Sequence, residues 1–202
     1  MVDKVQETEL TYTTKMEKPE ARKVATGEQT QITPKVKEVA DTIKGEGVVL
    51  VMNTADYIKS MIVVTDSTVP DFTRTAEQVL QENKYNGCNE AGAVFAALFR
   101  AKGVPTTYIQ ALKKTAVHNY SQERPSLNGH VFLEADLGGE NSENKKIINS
   151  TTGEITNELP EDMIVGAKGL DAWDIGLKNG FNDLQKLFEQ KHQELASTTP
   201  TH

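Results

Sequence analysis

The sequence predicts an α+β domain in which one buried helix packs on an antiparallel sheet, with further helices flanking it. Three observations carry that prediction. Residues 88–101 are almost entirely apolar or small, including Ala91, Ala93, Val94, Phe95, Ala96, Ala97, Leu98, Phe99 and Ala101. The run is too short to cross a bilayer, its Ala and Leu content favours helix, and a helix that is apolar nearly all round is a buried one. After it the period changes to two. Residues 130–137 alternate, with Val131, Leu133, Ala135 and Leu137 on one face and His130, Phe132, Glu134 and Asp136 on the other. Residues 173–196 then return to helical spacing, with Leu177, Phe181, Leu184, Phe188 and Leu195 on one stripe.

Composition bounds the rest. A chain of 202 residues is most simply one domain with an extension, and it is large enough for a real core. A hydrophobic fraction of 37% and an aromatic fraction of 6% make that core modest. A net charge of −7 argues against nucleic acid or an anionic membrane surface as the main partner. No apolar run is long enough for a membrane span. The opening Met1-Val2-Asp3-Lys4 leads into a polar stretch unlike a secretory signal, and one cysteine permits no internal disulfide. Both fit a cytoplasmic protein; a mature form that has lost its signal would instead be secreted. No cofactor and no metal are expected.

Along the chain, residues 1–31 read as a polar N-terminal extension rich in Lys, Glu and Thr. Leu10, Tyr12, Thr14 and Met16 alternate, so a short edge strand or a loosely attached arm is expected there, without chemistry. The folded domain is expected over residues 32–196. Thr33 as N-cap and Pro34 at the first helical position open a helix with Val36, Val39, Ala40 and Ile43 inward, ended by Gly45 and Gly47. Residues 48–64 are ambiguous between one helix and a strand followed by a helix; a helix over 54–61 is favoured. Residues 66–71 form a loop, and a short helix over 73–80 (Ala76, Val79 and Leu80 inward) delivers the chain to Asn86-Gly87-Cys88. Gly103 and Pro105 end the central helix. A strand is expected over 106–112, a long polar loop over 113–128, a turn over 138–145, a strand over 146–150 and a turn at Thr151-Thr152-Gly153. Residues 154–171 read as irregular, and 197–202 as a disordered tail.

Cys88, the only cysteine, lies where unsatisfied N–H groups and the helix dipole favour a thiolate. Gly87 lets another group approach the sulfur. His130 opens a strand 42 residues later (130 − 88), and Asn149 sits near the end of the next. Cysteine acyl chemistry needs these three parts. A thiolate attacks a carbonyl; an imidazole takes the thiol proton and returns it to the leaving amine; a third polar side chain accepts the other imidazole N–H and fixes the ring. Adjacent antiparallel strands would allow the His130–Asn149 contact.

Tyr85-Asn86-Gly87-Cys88-Asn89-Glu90-Ala91, followed by Leu98-Phe99-Arg100-Ala101-Lys102-Gly103-Val104-Pro105-Thr106, resembles the nucleophile segment of the transglutaminase-like superfamily. Gly129-His130-Val131-Phe132-Leu133-Glu134 resembles that family's histidine strand, and Ile148-Asn149-Ser150-Thr151 its D-P-T segment. The resemblance covers roughly residues 73–153. It implies a papain-like α+β fold and a catalytic triad with Cys88 as thiol nucleophile, His130 as base and acid, and Asn149 as orienting residue. Asn149 stands where the family usually has Asp; an amide oxygen still accepts from the ring but cannot stabilise an imidazolium by charge. The implied function is acyl transfer or amide hydrolysis on a peptide or protein substrate through a thioester at Cys88, as a cysteine peptidase, amidase or acyltransferase. The alternative is a degenerate member that keeps the fold as a peptide-binding or scaffold module. His118 in the polar loop is the rival base, and that loop is where substrate contacts are expected. His192 and His202 are not candidates. Glu90 reads as a first-turn charge worth under about 1 kcal/mol, and Trp173 as an anchor for the last helix.

Overall fold

The computed structural model describes residues 24–64, 72–138 and 145–198. Among the described residues, three helices precede the central one. α1 (Pro34–Thr42) starts as its sequence requires, with the Thr33 hydroxyl accepting from the Val36 N–H. α2 (Gly47–Ser60) resolves the ambiguous segment as helix from its beginning. The short strand β1 (Ile62–Val63) follows. α3 (Ala76–Glu82) is opened by a capping box between Thr75 and Gln78. β2 (Lys84–Tyr85) pairs in parallel with β1 and leads directly into α4 (Gly87–Ala101).

α4 is buried along almost its whole length, from Asn89 to Arg100. Helices α1, α2 and α3 pack on one side of it, and the sheet packs on the other. The sheet is built from β3 (Thr106–Lys113), β4 (Gly129–Asp136), β5 (Lys145–Asn149), β6 (Ile155–Thr156) and β7 (Met163–Gly169). Its order is β6-β5-β4-β3-β7, antiparallel throughout. The face toward α4 carries Tyr108, Val131, Leu133, Ala135 and Ile148. The other face gathers Ile109, Ala111, Phe132 and Ile147 into a smaller cluster. Phe95 and Phe99 meet edge-on at 4.8 Å in the main core, and truncating either to Ala would cost about 3–5 kcal/mol. The alternation read in residues 130–137 is therefore the division between the two faces of the sheet.

Five expectations are corrected. The polar loop over 113–128 contains a helix, α5 (Lys114–His118), whose Ala116 and Val117 are buried against α6 (Phe181–Thr198). Two apolar residues in a polar stretch suffice because Leu184 and Phe188 supply the rest of that cluster. The segment 154–171 is not irregular; it contains β6 and the edge strand β7. Its glycines hid the strand. A Cβ on Gly166 would lie 2.8 Å from Leu112 Cγ and 2.9 Å from the Gln110 carbonyl oxygen, so the close approach at the bulge in β7, opposite Gln110 and Ala111, excludes a side chain. The last helix begins at Phe181 rather than near Trp173, and Leu195 is exposed. Trp173 instead donates its indole N–H to the Phe72 carbonyl at 2.5 Å.

Finally, the N-terminal boundary placed after residue 31 falls inside packed structure. Gln29 and Thr30 are buried, and the Gln29 N–H, Thr30 N–H and Thr30 hydroxyl all donate to Asp171 Oδ2. Polar residues bury here because a buried carboxylate satisfies them. The expected strand over 10–16, the loop over 66–71, the tip of the turn over 138–145 and the end of the tail lie outside the described residues.

Candidate active site

The site forms where β5 stops. Asn149 is the last residue of β5 and pairs with Phe132 of β4. His130 lies two residues before Phe132, so its side chain emerges on the same face. The two meet diagonally, with His130 Nε2 2.9 Å from Asn149 Oδ1. The His130 ring also meets Phe132 edge-on at 5.0 Å.

Asn149 Oδ1 has further partners that fix its identity. It accepts from the Thr151 N–H at 3.1 Å, the Thr151 hydroxyl at 2.9 Å and the Thr152 N–H at 3.3 Å. Asn149 is thus both a turn residue and a hydrogen-bond partner of the ring. An atom that receives backbone N–H bonds is the amide oxygen, so His130 Nε2 must carry the hydrogen. The neutral ring is left with its lone pair on Nδ1.

Cys88 reaches this edge from the other side of the sheet. It is the second residue of α4, half-buried, and held by the end of β5, where the Ser150 hydroxyl donates to the Cys88 carbonyl at 3.3 Å. The Val131 carbonyl points toward β5 and receives the Ser150 N–H. In an antiparallel ladder the Val131 N–H points the same way. Beyond the end of β5 that N–H meets the Cys88 sulfur, and with the N–H of Cys88 itself it favours the thiolate. Burial outweighs both and pushes the thiol up. Cys88 therefore rests as a thiol and needs a base. The thiol is one residue away along β4 from His130, but no hydrogen bond joins it to the ring among the described residues. A long contact of this kind is common in unliganded sites.

Around this constellation are residues that the sequence reading missed or undervalued. Glu90 is not an exposed first-turn charge. It is fully buried, accepts the Asn86 N–H at 2.6 Å and pairs with Arg74, which also bridges to Glu82. The Asn86 side chain makes no cap, so Glu90 caps the start of α4 from inside. Arg74 offsets its charge, which keeps the helix N-terminus favourable to an anion at Cys88. The i to i+4 spacing of Asn86 and Glu90 was the available signal. Ser150 offered none. His118 is exposed on α5 and bonds to neither Cys88 nor Asn149 among the described residues. His192 serves structure, with Nδ1 2.9 Å from the Val117 carbonyl oxygen. A cavity of about 390 Å³, lined by Leu50, Lys102, Pro105 and Leu137 among others, lies at the opposite end of α4 and includes none of the site residues.

Neither a family model nor a curated protein sequence matches the chain. Solved structures do. A candidate cysteine protease from Cytophaga hutchinsonii superposes with a TM-score of 0.54 at 20% identity, over 76% of this chain and 47% of that one. The fold is papain-like. The chain spans about half the length of the Cytophaga protein. Legionella pneumophila LapG superposes with a TM-score of 0.49 at 15% identity, over 75% of this chain and 84% of that one. Within this papain-like architecture, α4 is the helix that brings a thiol to the sheet edge, and β4 and β5 are the strands that bring an oriented imidazole to the same place.

Proposed function

We propose that the protein is a cysteine-dependent enzyme acting on amide bonds of peptides or proteins, with Cys88 as nucleophile, His130 as base and acid, and Asn149 as orienting residue. The observation that carries this reading is the 2.9 Å His130–Asn149 bond, which leaves Nδ1 basic beside a thiol at a helix N-terminus. His130 Nδ1 takes the thiol proton as the sulfur attacks the carbonyl. The imidazolium formed keeps its Nε2–H on Asn149. The tetrahedral oxyanion is met by the backbone N–H of Cys88. Collapse breaks the C–N bond, and Nδ1 returns the proton to the departing amine, leaving a thioester on Cys88. Water, deprotonated by the same Nδ1, then attacks the thioester carbon; the C–S bond breaks, the acid leaves and Nδ1 returns the proton to the sulfur, while an amine in place of water would complete acyl transfer. Placing the base this way contributes roughly 10²–10⁴ in rate. The fold shared with a candidate cysteine protease supports the hydrolytic outcome.

The raised thiol and the missing thiol–imidazole bond favour a second reading, a module that binds peptides without cleaving them. Intact-mass measurement after mixing with a denatured protein substrate and a labelled primary amine separates the two. The enzyme reading predicts an acyl adduct on Cys88, absent in Cys88→Ser and His130→Ala, with either new peptide termini or incorporated amine. Substrate binding without adduct, termini or incorporation would favour the module.

A further inference from the structure

Tyr108 is fully buried in the main core, and its hydroxyl has no hydrogen-bond partner among the described residues. An unpaired buried hydroxyl is costly, and a phenyl ring would fill the same space without that cost. The ring lies over α4 at Gly92, one turn from Cys88. A Cβ on Gly92 would sit 3.2 Å from Tyr108 Cε2 and 2.5 Å from Val131 Cγ1, so the missing side chain lets the phenol and the β4 backbone close on the helix where Cys88 is carried. Side chains on a helix lean toward its N-terminus, which aims the patch above Gly92 at Cys88. Burial raises the phenol well above its ordinary range, and a negative charge on Cys88 is the largest electrostatic influence raising it further, ahead of Asp171. Glu90, two residues along α4 from Cys88, is already engaged by Arg74 and the Asn86 N–H, and His130 lies one residue from Val131 on β4.

We propose that the Tyr108 hydroxyl is a positioning group that donates a hydrogen bond to the Cys88 thiolate once His130 has taken its proton. This rests on the reading of Cys88 as nucleophile. In the resting thiol state the hydroxyl is idle. On ionisation it gains a charged acceptor, so the unpaired group serves the reactive state rather than the ground state. It complements the Val131 and Cys88 N–H groups, which approach the sulfur from the sheet and the helix.

The test is the thiolate titration of Cys88, followed by ultraviolet absorbance in the full chain, for wild type, Tyr108→Phe and His130→Ala. Tyr108→Phe should move the midpoint up by about one pH unit, leaving roughly tenfold less thiolate at any pH below it. Its melting temperature should be unchanged or higher, because an unpaired hydroxyl is removed. Fluorotyrosine at position 108, whose more acidic hydroxyl donates more strongly, should move the midpoint down; this variant keeps the proposal testable if Tyr108→Phe misfolds. A midpoint that moves in His130→Ala but in neither Tyr108 variant overturns this inference and leaves the nucleophile reading intact. A midpoint that moves in none of them overturns both.

Discussion

The two ends of α4 are built on opposite plans. At its C-terminal end Arg100 is buried and nearly saturated. Nη1 donates to the Thr30 hydroxyl at 2.5 Å, and Nη2 donates to the carbonyls of Thr106 at 2.7 Å and Leu170 at 2.5 Å. Thr30 relays to Asp171, whose carboxylate also binds Gln29 and, through Oδ1, the Asp174 N–H. Burial lowers the guanidinium to about 10, opposed by Asp171, so it stays charged at neutral pH. This end ties the segment before α1, the start of β3 and the chain after β7 to one helix. At the N-terminal end polar groups are left wanting. Among the described residues the Cys88 sulfur meets backbone N–H groups but no side-chain base, the Tyr108 hydroxyl has no partner, and the His130 ring bonds to Asn149 through Nε2. Satisfied groups hold a fold together, whereas unsatisfied groups at a half-open edge are available to a reacting molecule.

The contrast predicts that the two ends fail in different ways. Cys88→Ala should abolish activity, by at least about 10³-fold, while changing unfolding free energy by no more than about 1 kcal/mol. Arg100→Ala should do the reverse. It strands Asp171 and two carbonyls in the interior and should cost about 3–5 kcal/mol in urea denaturation. The fraction still folded should keep Cys88 reactivity near the wild-type rate. Equal stability losses in the two variants would erase the distinction.

A smaller effect sharpens the active end. Asn149→Ala removes both the ring's partner and the acceptor of three turn donors, and should lower activity about 10²-fold with a modest loss of stability. Asn149→Asp should keep the fold, because the Thr151 and Thr152 donors suit a carboxylate better than an amide. Its charge stabilises the imidazolium. Alkylation of Cys88 near neutral pH should then be up to about tenfold faster, because more of the thiol proton passes to the ring. A variant as inactive as Asn149→Ala would show that Asn149 acts through the turn rather than through the ring.

Much of this was legible in the sequence, and the parts that were not share a cause. The buried helix and the alternating strand follow from periodicity, which is a local property; the choice of Asn149 as the partner of His130 came from the family resemblance, with adjacent strands as its condition. The paired strands put those two residues on one face, as the alternation required. What stayed hidden depends on distant partners. Gln29 and Thr30 look like part of a polar arm until Asp171, 142 and 141 residues away, is seen to bind them. Val117 looks like an isolated residue until α6 covers it. β7 is masked by glycines demanded by a neighbouring strand. Glu90 reads as a surface charge because Arg74, 16 residues upstream, is needed to explain its burial. Tyr108 reads as one more strand aromatic until its hydroxyl is found without a partner.

The central claim is that His130 activates Cys88. The most direct test is the rate of Cys88 alkylation by iodoacetamide at pH 6, wild type against His130→Ala. The account predicts fast modification of wild type and at least about tenfold slower modification of the variant, since only a base held next to the sulfur makes thiolate at that pH. Slow modification at the same rate in both proteins would contradict it.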